Sequence, residues 1–494
     1  MRINKKDIYM GGIVTIICIL FFFVIGENGY VMHKDSRVYT DLIYTKSIMP
    51  IYVFFLECLK ICFGEGLYLQ AAVIIQGIIS AFCAIDFCLF VKKQFNLKRI
   101  EFLIIFLLSL LVYMIEFPET INNHFILTES LTYPFFYVYM KYLLRGILNE
   151  NKKDLCLNGV WAFILSLIRS QLQLLWAVTA AGFAYYYIKT HLEVFKLRKW
   201  KYIVGHCLVA IVILGVVTVG GYKLVSVSVS AYRQLLFGNE RTTDYQGVYA
   251  FWDRISYTID KEDVALFEDE QIQTIFLEVY NKIDEEKLRY PYRPKNLWTW
   301  KHVVEATETN GYLAGDAIYE YLESKGIKDA DEKRKIESQV MQEMSTTLLK
   351  EHWDRYIYYT LTLIPQGFIC TVFVQKESFY SLCHIITLFI YLFACILAIR
   401  SIKKKSLDSA KGEMMLWVIL TAFMLVGITN IVFMGLQRYL YYMYGVFYIS
   451  FFLVLRENLC INGCSIKWYK RKPHNIDSGI DKSELTYGGI VPPK

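Results

Sequence analysis

The chain has 494 residues, is 55% hydrophobic and 16% aromatic, and carries only 20% charged side chains. Soluble domains run at about 45–50% apolar and about 25% charged, so this composition excludes an ordinary water-soluble globule and points to membrane spans. The formal charge of +7 is modest and its basic residues sit between apolar runs, which marks membrane topology and leaves no basic, base-stacking face for nucleic acid.

A helix needs about 20 apolar residues to cross a bilayer core. The first such stretch is roughly 8–25, after MRINKKD. It looks like a signal peptide, but GENGY follows where a small-residue cleavage site would stand, so it is expected to remain as an uncleaved span. The loop 26–66 comes next. It mixes Asp35, Arg37, Asp41, Lys46, Glu57 and Lys60 with aromatics and Pro50, and it is too interrupted to cross. Charges at a membrane boundary are costly unless water, a partner or a ligand satisfies them. This loop is therefore read as an active-site loop.

Further spans are predicted at roughly 67–91, 100–117 and 125–147. Residues 158–188 are too many for one upright helix, and Arg169, Ser170 and Gln171 interrupt them. Two helices meeting at Arg169 are expected. After a span at 202–224 comes a polar insert, 225–355, with helical stretches at 262–288 and 329–353 around the helix-breaking RYPYRPKNLWTW. Residues 355–373 hold Pro365 and many tyrosines, and are expected as an interfacial or re-entrant segment. The last spans are placed at 378–399, 414–434 and 437–456. The predicted fold is all-α and polytopic, with about ten transmembrane helices and a mostly helical extracytoplasmic insert. Its modules are 1–224, 225–377, 378–456 and a basic tail, 457–494. Lys and Arg in the short loops put both termini in the cytoplasm of a multi-pass cell-membrane protein, and put loop 26–66, loop 117–124 and the insert outside. Cys58/Cys62 and Cys460/Cys464 have helical spacing, but no accompanying His/Cys set makes a zinc site.

Few residues can carry chemistry. A carboxylate in a partly dry cleft can take a proton from an acceptor hydroxyl or amine, which makes Asp35 a candidate base; a loop aspartate capping the next helix is the bland alternative. Glu129, in LTESL, lies one turn into an apolar helix, where a glutamate is either functional or reaching up to water. Arg169 must face a partner or a ligand, because lipid exposure costs several kcal/mol. Its fork suits a phosphate, and a structural ion pair with Asp86 or Glu129 is the alternative. Lys46, His124 and Arg438 are placed to reach a lipid phosphate at the outer interface. No nucleotide-binding, nucleophile-elbow or metalloprotease motif occurs. Nor do matched broken spans of a paired transporter stand out.

The order of these elements resembles family 39 of the glycosyltransferase C superfamily, the protein O-mannosyltransferases and lipid A aminoarabinose transferases. The resemblance lies in DSRVY (35–39), MPIYVFFLECLKICFGEG (49–66), LTESL (127–131) and LIRSQ (167–171), and covers about residues 8–200. It implies a membrane glycosyltransferase that moves a sugar from a polyprenyl-phosphate donor to an extracytoplasmic acceptor: a glycan, lipid or protein. Asp35 is implied as the catalytic base; the second acid is left open, and Glu129 is the candidate read from the residues to orient the acceptor or a metal. Arg37, Tyr39, Lys46, His124 and Arg169 are taken as substrate-binding with it, and Arg438 joins them from its place at the outer start of the last span. Implied partners are the donor, membrane lipid and the acceptor, with no nucleic acid. No cofactor is assigned, and a divalent cation stays open. Two departures stand out: the family's acidic pair in the first loop is Asp-Ser here, and the polar insert lies between spans instead of at the C-terminus. A transporter or flippase of a lipid-linked or polar substrate is the rival reading.

Overall fold

A computed structural model describes residues 16, 29–40, 48–113, 124–191, 200–238, 251–294, 299–369, 380–403, 407–432 and 441–459. Apart from Ile16, the predicted first span lies outside the described residues, as do Lys46, Arg438 and the tail beyond residue 459. Helices account for almost all of the described chain: α1 Pro50–Phe63, α2 Tyr68–Gln94, α3 Arg99–Leu111, α4 Glu129–Leu148, α5 Lys152–Ile168, α6 Leu175–Thr190, α7 Trp200–Phe237, α8 Glu270–Glu285, α9 Thr299–Ser324, α10 Ala330–Glu351, α11 Trp353–Ile369, α12 Tyr380–Lys403, α13 Leu407–Val432 and α14 Tyr444–Leu459. A 3-10 turn, Lys34–Ser36, runs into one helical turn, Arg37–Thr40, ahead of α1.

Two cores form. The larger gathers buried side chains of α1 to α6, α12, α13 and α14, with Val225 and Val229 of α7. The smaller belongs to the insert and holds Trp252, Phe276, Ile318 and Met344. Helix α11 joins them: Tyr359 is buried in the insert core while Phe368 packs against the bundle core. Within the segment read from sequence as interfacial or re-entrant, a helix covers the described residues up to Ile369, Pro365 included.

Four stretches are long and apolar enough to cross a membrane among the described residues: Tyr68–Gln94, Ile203–Phe237, Ile385–Lys403 and Ser409–Gly427. The second is the most telling, with only 6% of its most apolar window buried inside the protein. Leu208, Val212, Val216 and Val219 all face outward. A water-soluble protein does not leave so long an apolar face bare, so lipid is its solvent. This helix also overruns the predicted end at 224. The polar insert expected from 225 onward therefore begins later: Val225 and Val229, one turn apart, bury against the bundle and the helix runs on to Phe237.

Other boundaries moved for local reasons. The predicted helix 262–288 splits into a 3-10 segment, Lys261–Leu266, and α8, because the Asp269 side chain caps α8 by accepting from the Gln271 amide. Helix α9 starts at Thr299, inside the stretch expected to break helices. Helices α12 and α13 touch so closely that a Cβ on Gly412 would lie 2.4 Å from the Ala398 carbonyl oxygen. Ion pairs tie the bundle further: Lys141 with Asp86 at 2.5 Å, Arg456 with Glu101 at 2.6 Å and Lys411 with Glu457 at 2.5 Å.

Candidate active site around Tyr39

The site begins with a pairing that links the first loop to the start of α4. The Val31 amide donates to the His124 carbonyl at 2.8 Å, and the Ile126 amide to the Val31 carbonyl at 3.2 Å. His124 Nδ1 lies 2.9 Å from the Gly29 carbonyl oxygen, so it carries the proton of that bond. Gly29 holds φ +72°, the left-handed region, and a Cβ there would meet the Gln70 side chain at 2.9 Å. This short parallel bridge brings two segments almost a hundred residues apart side by side.

The loop then turns. His33 caps it: its Nδ1 accepts from the Asp35 amide at 3.2 Å, and its own amide donates to Ser36 Oγ at 2.8 Å. The Asp35 carboxylate stands 3.6 Å from the same imidazole nitrogen and its side chain is 30% exposed. It is thus one of the capped residues of the turn and not the cap itself. One helical turn later Tyr39 faces inward, edge-on to Tyr52 of α1 at 5.3 Å between ring centroids. Tyr52 is anchored in turn by donating its hydroxyl to Gln76 Oε1 of α2 at 2.9 Å.

Opposite lies the first residue of α4. Glu129 is 9% exposed and pairs with Arg169, 14% exposed, at 2.5 Å. Thr128 Oγ1 donates to Glu129 Oε2 at 3.1 Å and accepts from Arg169 Nη1 at 3.4 Å. The carboxylate gains from the open amides at the N-terminus of α4. The guanidinium reaches it because the chain breaks where the sequence said it would. Arg169 is extended, φ −149° and ψ 126°, between the end of α5 and a 3-10 segment, Ser170–Leu174. Ser166 helps end α5 by bonding back to the Ala162 carbonyl and on to the Leu172 carbonyl.

Tyr39 is where these groups meet. Burial pushes its phenol up to about 12; the carboxylates of Glu129 and Asp35 add to this, and Arg169 and a hydrogen bond with Thr128 oppose it. The phenol therefore stays a protonated donor across the physiological range. Tyr442, just before α14, closes another side, beside Gln171 and within the field of Arg169 and Glu129.

The candidates from sequence thus divide. Asp35, Tyr39, Glu129 and Arg169 share one neighbourhood. Arg169 took Glu129 as its partner; Asp86 went to Lys141. His124 is buried and holds the loop through Gly29. Arg37 is exposed. Sequence reasoning passed over His33, Tyr52, Thr128, Gln171 and Tyr442. Thr128 alone carried a signal, as the residue preceding a helix that opens on an acid. Among the described residues no cluster of three or more His, Cys, Asp or Glu side chains could hold a metal ion.

No family model matches the sequence. No curated protein matches it either. A solved structure of ArnT from Cupriavidus metallidurans bound to undecaprenyl phosphate aligns with 91% of this chain and 78% of that one, at 11% identity and a TM-score of 0.29. A superposition that loose establishes neither a common fold nor an activity.

Proposed function

We propose that the protein is a membrane glycosyltransferase that takes a sugar from a polyprenyl-phosphate donor and passes it to an acceptor outside the cytoplasm. The observation that carries this reading is the meeting of Asp35, Glu129 and Arg169 around Tyr39. An acid from the first loop, an acid from a helix start and an arginine from a helix break come from three separate parts of the chain. Packing by itself does not ask for such a set, because buried charge is costly unless it serves a site or a partner.

In this reading Asp35, still partly open to solvent, accepts the proton of the acceptor hydroxyl or amine. The acceptor oxygen or nitrogen attacks the anomeric carbon, the bond to the carrier phosphate breaks, and a single displacement inverts that carbon. The phosphate leaves with the electron pair, and its charge falls to Arg169, a preorganised cation in a dry setting. Tyr39 donates a hydrogen bond to the same oxyanion. Glu129 orients the acceptor. Lys46 and Arg438 are assigned to the donor headgroup, as is the outer-leaflet side of the bundle, with about ten crossings and both termini inside.

The test is Asp35→Asn in membranes supplied with labelled polyprenyl-phosphate sugars. Transfer should fall at least about a hundredfold, the usual worth of a general base. Transfer at the wild-type rate removes Asp35 from the mechanism. The rival, a transporter of a lipid-linked substrate, predicts movement across sealed vesicles with no covalent change.

A further inference from the structure

The ion pair between Glu129 and Arg169 poses a problem for anion binding. At 2.5 Å, with both side chains mostly buried, the guanidinium that should meet a phosphate already has its Nη1 on a carboxylate. Thr128 locks the pair by bonding to both partners. The charges of Glu129, Arg169 and Asp35 all reach the Tyr39 phenol, and of the two acids it is Glu129 that sits on the guanidinium. A phosphate drawn to Arg169 therefore meets the Glu129 carboxylate on the same guanidinium.

We propose that the Glu129–Arg169 pair is a displaceable latch: an anionic phosphate headgroup gains Arg169 only by taking the place of Glu129. The proposal rests on the glycosyltransferase reading and adds the order of events within it. In the resting site the pair satisfies both buried charges, so the pocket is stable without ligand. On binding, the phosphate oxygens take over the guanidinium fork, which suits them bidentately. Glu129 is released toward the acceptor side, where its charge serves to orient a hydroxyl or amine. The carboxylate keeps a home, since the amides at the start of α4 and the Thr128 hydroxyl remain. The latch also discriminates. A neutral prenyl alcohol cannot break the pair, whereas a phosphate can, because only a charge of the same sign as Glu129 replaces what Arg169 loses.

The experiment compares wild-type protein, Glu129→Gln and Glu129→Asp in lipid nanodiscs, titrated with undecaprenyl phosphate and, separately, with undecaprenol. Native mass spectrometry reads bound lipid. The latch predicts that Glu129→Gln binds the phosphate more tightly, by about tenfold, since the competing carboxylate is gone. Glu129→Asp, whose carboxylate is drawn back by one methylene, should gain less. Undecaprenol affinity should be the same in all three. Equal or weaker phosphate binding by a folded Glu129→Gln overturns the latch and leaves a structural pair. Should that variant not fold, the same result for Glu129→Asp decides. Wild-type protein that ignores undecaprenyl phosphate altogether overturns the functional reading instead, so the two failures are told apart.

Discussion

Tyr39 shows how much one hydroxyl can carry. It sits among two carboxylates and a guanidinium, and its phenol keeps its proton well beyond neutral pH. Tyr39→Phe removes a donor while keeping the ring that packs edge-on to Tyr52. One lost hydrogen bond to a charged group costs about 1.5 kcal/mol, so sugar transfer should fall about tenfold with little change in melting temperature. Steady-state assays on labelled donor give the rate, and a thermal scan in detergent gives the stability. An unchanged rate would take the phenol out of the chemistry. The sequence could nominate Asp35, Glu129 and Arg169 because a charge beside apolar runs is conspicuous. It could not nominate Tyr52 or Tyr442, whose side chains look like ordinary aromatic residues of apolar stretches until the fold turns them toward the site.

Helices owe their contacts to residues that leave no mark in a hydropathy plot. Gly412 permits α12 and α13 to meet backbone to backbone, with the Ala398 carbonyl in the way of any Cβ. A backbone atom cannot swing aside as a side chain can, so Gly412→Ala should push the two helices apart. Overpacking of this kind costs about 1–3 kcal/mol, to be read as a lower midpoint of thermal unfolding. An unshifted midpoint would mean the helices slide freely. In the insert, Arg289 holds the end of α8. It bonds to Asp284 and the Ile259 carbonyl, pairs with Asp260 and stacks on Tyr280. The hydrogen bond from Arg289, with that from Tyr292, keeps the Asp284 carboxyl below its usual range. A lowered folded pKa means stability that is complete above the ordinary aspartate value of about 3.9 and is lost as pH falls through the lowered one. Acid titration of the insert, followed by tryptophan fluorescence, should show this loss below about pH 4. In Asp284→Asn that part of the slope should vanish; a slope that persists would assign it to other carboxylates.

At the scale of the molecule, two cores share one connecting helix. Tyr359 of α11 belongs to the insert and Phe368 to the bundle, so the insert is fastened to the membrane part along this helix as well as through the chain on its other side. Composition and the length of apolar runs were enough to read a helical membrane protein with a polar insert, because lipid permits only satisfied backbone and apolar side chains, and that demand is written residue by residue. The break at Arg169 was legible for the same reason: a polar triplet inside an apolar run has nowhere to go but a turn. What the order of residues left open was which charges would meet. Glu129 and not Asp86 found Arg169, and His124 turned to Gly29. These choices hang on the bridge between Val31 and Phe125 and on the helix crossings. Such contacts join residues far apart along the chain, so no local window of sequence contains them; only the folded packing decides them.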